Sequence, residues 1–138
     1  MTNGELMKTS LIKSTRFRGG FTLIELLVVL AIVALLSTLA MPRYFQSIDT
    51  AKETILADNL RITRETIDKF YGDTGRYPDS LQELVDKKYL RSLPKDPVAD
   101  SATTWIVIPP DSDAKGKVFN IKSGAAGVNR NGIAFVEL

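Results

Sequence analysis

The feature that most constrains this chain is an uninterrupted apolar stretch near its N-terminus. Residues Phe21–Met41 carry a single charged side chain, Glu25. From Leu26 to Met41, 14 of 16 residues are apolar. As a helix, the stretch would be about 32 Å long at roughly 1.5 Å per residue, which matches the hydrocarbon core of a bilayer. We therefore expect a membrane-spanning helix over residues 21–42.

Two other interpretations of an apolar stretch in this position fit less well. A secretory signal peptide has an apolar core of about 7–15 residues and then a small-residue cleavage site, whereas this stretch is longer and ends in Ser37-Thr38-Leu39-Ala40-Met41. A surface helix of a soluble domain would carry polar residues along one face. Residues 1–20 hold four basic side chains and one acidic side chain. The positive-inside rule then keeps this flank cytoplasmic and predicts that residues 43–138 are translocated.

Two details lie at the start of the apolar stretch. Gly19 and Gly20 precede it and form an unhindered segment that suits a protease. Cleavage after Gly20 would leave a new ammonium group on Phe21, which could pair with Glu25 of a neighbouring chain and set the register between packed helices. The alternative is an interfacial Glu25 that reaches the water of the headgroup region.

Together these residues resemble the type IV prepilin motif, or class III signal. The segment Gly20-Phe21-Thr22-Leu23-Ile24-Glu25-Leu26 follows a basic leader and opens a long apolar run. The resemblance implies cleavage after Gly20 by a prepilin peptidase and N-methylation of Phe21. It also implies that Glu25 acts in assembly and that Pro42 bends or interrupts the helix.

The residues after Pro42 predict an amphipathic helix over Arg43–Tyr71, ended by Gly72. Apolar side chains recur near helical spacing at Phe45, Ile48, Leu56, Leu60, Ile67 and Phe70, with Ile55 and Tyr71 widening the stripe. Charged residues lie between them, so this helix is expected to be half-buried by a small domain.

The remainder of the chain predicts a small α+β domain. Ser80 and Glu83 have the spacing of a capping box, which predicts a short helix over Leu81–Lys88. Three β-rich stretches follow at Thr104–Ile108, Lys117–Ile121 and Ile133–Glu137. We expect a long N-terminal helix, half transmembrane and half amphipathic, packed on a small three-stranded antiparallel sheet.

Further motifs narrow the resemblance. Asp73-Thr74-Gly75-Arg76-Tyr77-Pro78, Leu93-Pro94-Lys95-Asp96-Pro97 and Ser123-Gly124-Ala125 resemble the major pseudopilins of type II secretion systems. The resemblance implies a type IV pilin-like fold and a single-pass inner-membrane protein with a periplasmic C-terminal domain. The mature chain would assemble into a helical pseudopilus that drives export through an outer-membrane secretin. A surface type IV pilin or minor pilin, serving adhesion, motility or DNA uptake, is the alternative.

The partners implied by the resemblance are further copies of the chain and the machinery that builds the filament. They are the prepilin peptidase and methyltransferase, a cytoplasmic assembly ATPase, an inner-membrane platform protein, minor pseudopilins and the secretin.

Composition argues against other classes of function. The chain contains no Cys and no His, which removes disulfides, thiol nucleophiles and the commonest general base. A formal net charge of +2 and the lack of a basic and aromatic stripe disfavour nucleic-acid binding. We therefore expect a structural subunit rather than an enzyme.

Calcium is the one cofactor that the resemblance raises. Major pseudopilins commonly bind it through acidic residues in the loop before the last strand, whereas Lys122–Gly132 contains no Asp or Glu. Calcium takes about six to eight oxygen ligands, usually with carboxylates among them. Asp111 and Asp113 are the remaining candidate ligands, and the expectation is that no cofactor is bound.

Overall fold

The computed structural model of the chain describes residues 19–138. The predicted leader, residues 1–20, lies outside the described residues except for its last two glycines. The elements are helix α1 (Leu23–Thr74), helix α2 (Leu81–Asp86), strand β1 (Ile106–Ile108), strand β2 (Asn120–Lys122) and a 3₁₀ helix (Phe135–Glu137). The chain divides into two compact units between Leu39 and Ala40.

Helix α1 supplies one side of the core in the unit Ala40–Leu138. Its buried side chains recur at helical spacing on one face: Leu56, Leu60, Thr63, Ile67 and Phe70. The predicted core stripe is wider than the observed one, since Phe45, Ile55 and Tyr71 are 58%, 50% and 43% exposed. The physical reason is that two three-residue strands and a six-residue second helix can cover only one face of α1.

The C-terminal end of α1 lies beyond the predicted one. Gly72 does not end the helix, which continues to Thr74. Thr74 is held in the last turn because its hydroxyl donates to the carbonyl of Phe70 over 2.7 Å. Gly75 has a φ of +75°, and its N–H donates to the carbonyl of Tyr71 over 2.8 Å. The helix therefore stops at the glycine whose conformation is left-handed, as helix C-termini commonly do.

Helix α2 confirms the predicted cap and is two residues shorter than predicted. The Ser80 hydroxyl accepts a hydrogen bond from the N–H of Glu83 over 3.2 Å. The Glu83 carboxylate reaches back to the N–H of Asp79 over 2.7 Å. Leu84 points into the core and is fully buried. The bond to Ser80 is the one that the Ser-x-x-Glu spacing predicts, whereas Glu83 bonds to the N–H of Asp79, one residue before the N-cap.

Within residues 19–138, strands β1 and β2 form a two-stranded antiparallel sheet. Ile106 pairs with Lys122, and Ile108 pairs with Asn120. Strand β2 begins later than the predicted stretch Lys117–Ile121. The reason is that the N–H groups of both Lys117 and Val118 donate to the carbonyl of Pro78, over 3.1 and 2.9 Å.

The predicted third strand, Ile133–Glu137, is wrong. Phe135–Glu137 forms a 3₁₀ helix, and a single β-bridge joins Val128 to Ala134. The N–H of Glu137 bonds locally to the carbonyl of Ala134 over 2.9 Å, and the N–H of Phe135 bonds to the carbonyl of Gly127 over 3.1 Å. The tail turns back on its own preceding loop, and this turn places the Phe135 ring in the core, 7% exposed.

Arg64 fastens the sheet to α1. Its Nε donates to the side-chain oxygen of Asn120 over 2.8 Å. Its Nη2 donates to the main-chain oxygens of Ile121, over 2.9 Å, and of Leu138, over 2.8 Å. One guanidinium therefore joins α1 to β2 and to the C-terminal segment, which supports the predicted packing of helix on sheet.

Candidate processing site and apolar helix

The predicted cleavage junction is open in the structure. Gly19 and Gly20 are exposed and precede the first helical residue, Leu23. No other part of the described chain lies within 4 Å of the position that a Cβ would take on either glycine. Phe21 is 84% exposed. Within the described residues, nothing therefore obstructs the access of a protease to the Gly20–Phe21 bond.

Thr22, which is not among the residues singled out from the sequence, determines where α1 begins. The Thr22 hydroxyl accepts a hydrogen bond from the N–H of Glu25 over 3.2 Å. The carbonyl of Thr22 accepts one from the N–H of Leu26 over 3.2 Å. The spacing Thr-x-x-Glu is that of a capping box and was the available signal. This cap starts the helix after Thr22, which leaves Phe21 outside the helix.

Glu25 lies in the first turn of α1. The positive end of the helix dipole favours a carboxylate in this position. Within residues 19–138, the Glu25 carboxylate has no hydrogen-bond or ion-pair partner. The geometry therefore leaves this side chain available to a group outside the described part of the chain.

The apolar stretch is exposed on every side. Its large side chains range from 49% exposure at Val29 to 84% at Phe21. The most apolar 18-residue window of α1 has a mean hydropathy of 2.7, and none of it is buried. By length and composition α1 can cross a membrane, which fits the expected membrane anchor.

The two hydroxyl groups within the apolar stretch are satisfied by the helix itself. Ser37 Oγ donates to the carbonyl of Val33 over 2.7 Å. Thr38 Oγ1 donates to the carbonyl of Leu35 over 2.6 Å. Such internal bonds leave no hydroxyl unpaired in an apolar environment, so these residues are compatible with a membrane span.

Pro42 does not interrupt α1. The helix runs through it from Leu23 to Thr74. Proline has no N–H, so the carbonyl of Thr38, four residues earlier, receives no main-chain bond from this position. Of the two outcomes expected at Pro42, interruption is therefore not observed. A role of Pro42 in assembly stays a prediction.

The candidate calcium ligands form no cluster. Asp111 and Asp113 are both exposed in the loop after β1. Among residues 19–138, no group of three or more His, Cys, Asp or Glu side chains is placed to hold a metal ion. The expectation that no cofactor is bound, with Asp111 and Asp113 as the remaining candidate ligands, stays a prediction.

Comparison with known proteins places this arrangement in a family. Residues 15–41 match the family model of the prokaryotic N-terminal methylation motif. The type II secretion system core protein G of Pseudomonas aeruginosa is 32% identical over 98 residues, which are 59% of this chain and 69% of the relative. The chain belongs to the family of type II secretion system core protein G. The resemblance seen in the sequence is thereby confirmed.

A second relative supports the same family, and a third bears on the alternative of a surface type IV pilin. Core protein G of Klebsiella michiganensis is 30% identical over 94 residues, covering 56% of this chain and 66% of the relative. The chain thus spans about two thirds of the length of these relatives. The type IV major pilin protein PilA of Myxococcus xanthus is 32% identical over 65 residues, but these are 30% of that protein. No solved structure matches this chain significantly.

Proposed function

We propose that this chain is the structural subunit of a type II secretion pseudopilus. The observation that carries the proposal is an apolar helical stretch, exposed on every side, in a chain of the core protein G family. Such a helix needs either lipid or other copies of itself as surroundings. A subunit that waits in the inner membrane has lipid around this helix, and after assembly into a filament it has the helices of other copies around it.

Processing precedes assembly in this proposal. The leader, residues 1–20, stays cytoplasmic because of its basic charge, and residues 43–138 lie in the periplasm. A prepilin peptidase cuts after Gly20, and Phe21 is methylated on its new amino group. The open Gly19–Phe21 segment and the match to the N-terminal methylation motif support this step.

Glu25 sets the register of assembly in this proposal. Its carboxylate pairs with the ammonium group of Phe21 on a neighbouring copy. In an apolar surrounding an unpaired carboxylate costs a few kcal/mol, so copies that bring the two charges together are favoured. The lack of a partner for Glu25 within residues 19–138 supports an intermolecular partner.

Repetition of one heterologous contact gives a helical fibre rather than a closed ring. The partners of this role are the assembly ATPase, the platform protein, the minor pseudopilins and the secretin. The role is structural and requires no catalytic residues and no bound metal ion.

For calcium, we expect the same thermal midpoint of unfolding with and without a chelator, and a lower midpoint with the chelator would establish a metal site.

The surface pilin is the second candidate, favoured by the match to the Myxococcus xanthus pilin. Neighbouring genes separate the two. A secretin gene and further prepilin-like genes favour secretion, whereas a retraction ATPase gene favours a motility pilus.

Glu25→Val tests the proposed function, with Ile24→Val in the same helical turn as the matched control. Both variants are produced in cells that carry the peptidase and the assembly machinery. We expect both to mature to an N-terminus at Phe21, as measured by intact mass, and both to stay in the membrane. Filaments should be lost only in Glu25→Val. Normal filaments from Glu25→Val would refute the pairing, and a mature N-terminus other than Phe21 would refute the processing step.

A further inference from the structure

Helix α1 has a second apolar face, distinct from the face that packs into its own domain. Four apolar residues recur every seven positions, Met41, Ile48, Ile55 and Ile62, and we call them the α1 seam. Met41, Ile55 and Ile62 are 58%, 50% and 40% exposed, and Ile48 is half-buried. The α1 seam is therefore largely left uncovered by the domain.

A seven-residue repeat has a specific structural meaning. It keeps apolar side chains on one line along a helix, which is the pattern of a helix that packs lengthwise on another helix. The next position in the repeat is Lys69, so the α1 seam ends at Ile62. The pattern predicts a helical partner that lies along about six turns of α1.

The surface around Ile55 has the ridge and the grooves that helix packing uses. A groove of about 430 Å³ lies on one side, lined by Thr54, Ala57 and Arg61 together with Ile55. A groove of about 550 Å³ lies on the other side, between α1 and the segment Ser92–Asp100. Ile55 lines both grooves and thus forms a ridge between them. Ridges that fit into grooves are the usual mode of helix packing.

Charge decides what kind of helix fits the α1 seam. Asp58 and Glu65 lie three positions after Ile55 and Ile62, where a self-paired coiled coil would bring each residue against its own copy. Arg61 pairs with both acids, over 2.7 and 3.1 Å, so one cation serves two carboxylates. If two seams faced each other, four carboxylates would lie around only two arginines, which is unfavourable. An uncharged partner helix adds no further carboxylate, so the ion pairs of Arg61 stay intact at the edge of the contact.

We propose that the α1 seam receives the apolar stretch Leu23–Leu39 of a second copy of this chain. This stretch is uncharged apart from Glu25 and is apolar on all faces, so that any side of it suits the seam. The α1 seam gives it apolar cover when it leaves the bilayer. The proposal rests on the proposed function, because it assumes that copies assemble through their helices.

Cysteine crosslinking tests which surfaces meet. The chain contains no Cys, so introduced thiols have no native competitor. Ile55→Cys is produced together with a second chain that carries one cysteine, placed in turn at each position from Leu23 to Leu39 except Glu25. In assembled filaments under mild oxidation, we expect mixed dimers for positions on one face of the stretch. Ile55→Cys alone should stay monomeric, and Ser47→Cys, which lies outside the seam and both grooves, is the control with weaker crosslinking at all scanned positions.

Two crosslinking results would overturn the proposal. Dimers from Ile55→Cys alone would mean that seam meets seam. The lack of mixed dimers at every scanned position would mean that the stretch Leu23–Leu39 does not lie on the α1 seam.

A charge substitution separates this proposal from the proposed function. Ile55→Asp is compared with Ser47→Asp, an exposed residue of α1 that lines neither groove, takes the same charge and lies about 80° away around the helix. Filament yield should fall by about tenfold or more only in Ile55→Asp, because an unpaired carboxylate is buried in the contact. Both full chains should accumulate in the membrane with the same protease resistance. Equal filament yields overturn the seam alone, whereas an absence of filaments from the unmodified chain overturns the proposed function and the seam with it.

Discussion

Arg130 is joined to Glu53 by two hydrogen bonds. The main-chain N–H of Arg130 donates to one carboxylate oxygen of Glu53 and its Nε–H donates to the other, each over 3.1 Å. The residues are 77 positions apart. The Glu53 side chain is 16% exposed and that of Arg130 is 60% exposed. The pair therefore fastens the loop before the 3₁₀ helix to the middle of α1.

This geometry predicts unequal effects for the two partners. Glu53→Ala removes both bonds and should lower the free energy of unfolding by about 1–2 kcal/mol. Arg130→Ala keeps the main-chain bond and loses an exposed ion pair, so it should cost less than about 1 kcal/mol. Urea unfolding of the full chain in detergent, followed by the fluorescence of Trp105, measures both. Equal losses would contradict the role assigned to the main-chain bond.

A buried carboxylate holds the segment Asp96–Ser101 against the core. One oxygen of Asp96 accepts from the N–H groups of Val98 and Ala99, over 2.9 and 3.1 Å. The other accepts from the hydroxyl of Ser123 over 2.5 Å. Asp96 and Ser123 are both fully buried. The two motifs singled out in the sequence, around Asp96 and Ser123, thus meet in one hydrogen-bonded group.

Asp96→Ala should be among the more damaging substitutions in the domain. It leaves two N–H groups and one hydroxyl without their acceptor, and we expect a loss of about 3 kcal/mol in the free energy of unfolding. Ser123→Ala removes one of three donors to Asp96 and should cost about 1 kcal/mol. The same fluorescence experiment compares them, and a larger loss in Ser123→Ala would show that the carboxylate is not the centre of the group.

Two glycines are predicted to respond to alanine in opposite ways. A Cβ on Gly124 would lie 1.9 Å from the carbonyl oxygen of Thr104, so one of the two main-chain segments must move. Gly124→Ala should therefore destabilise the domain by about 3 kcal/mol. Gly72 is helical and has no atom within 4 Å of that position. Gly72→Ala should stabilise the chain by about 0.5–1 kcal/mol, because alanine favours the helix. Thermal melts of the two variants check the opposite signs.

The elements that sequence predicted well are those with local causes. Ser80 and Glu83 fix the start of α2 through bonds within one turn. The third strand failed because its outcome depends on distant groups: the burial of Phe135 and its bond to Gly127. A short run of β-favouring apolar residues cannot distinguish a strand from a turn that buries one ring.

Helical periodicity also could not separate the two apolar faces of α1. Ile55 and Leu56 are neighbours in sequence and both fit an apolar stripe, yet Leu56 is fully buried and Ile55 is 50% exposed. Which face meets the domain depends on how much of the helix the sheet covers. At the candidate processing site, Gly20, Phe21 and Glu25 could be singled out because they form a contiguous motif, and their roles stay predictions. Thr22 could have been singled out from its capping spacing.

Glu83 gives the domain a predicted dependence on pH. Its carboxylate accepts from the guanidinium of Arg76 and from the N–H of Asp79, and the side chain is 15% exposed. The hydrogen bond from Arg76, followed by that from Asp79, holds the pKa of Glu83 below its ordinary value of 4.5. The unfolded chain therefore binds a proton on this residue at a higher pH than the folded chain does.

The sign of this linkage sets the experiment. The contribution of Glu83 to stability is complete above its ordinary pKa and is lost as pH falls through the lower pKa of the folded state. Glu83→Gln should thus lower the free energy of unfolding at pH 7, and the difference from the unmodified chain should shrink between about pH 5 and pH 2. Val85→Ala, on the same helix and with a side chain that bonds to no titrating group, should show a difference that does not change with pH. An equal loss of unfolding free energy in Glu83→Gln at about pH 5 and pH 2 would contradict the stabilisation of the Glu83 carboxylate by the Arg76 guanidinium.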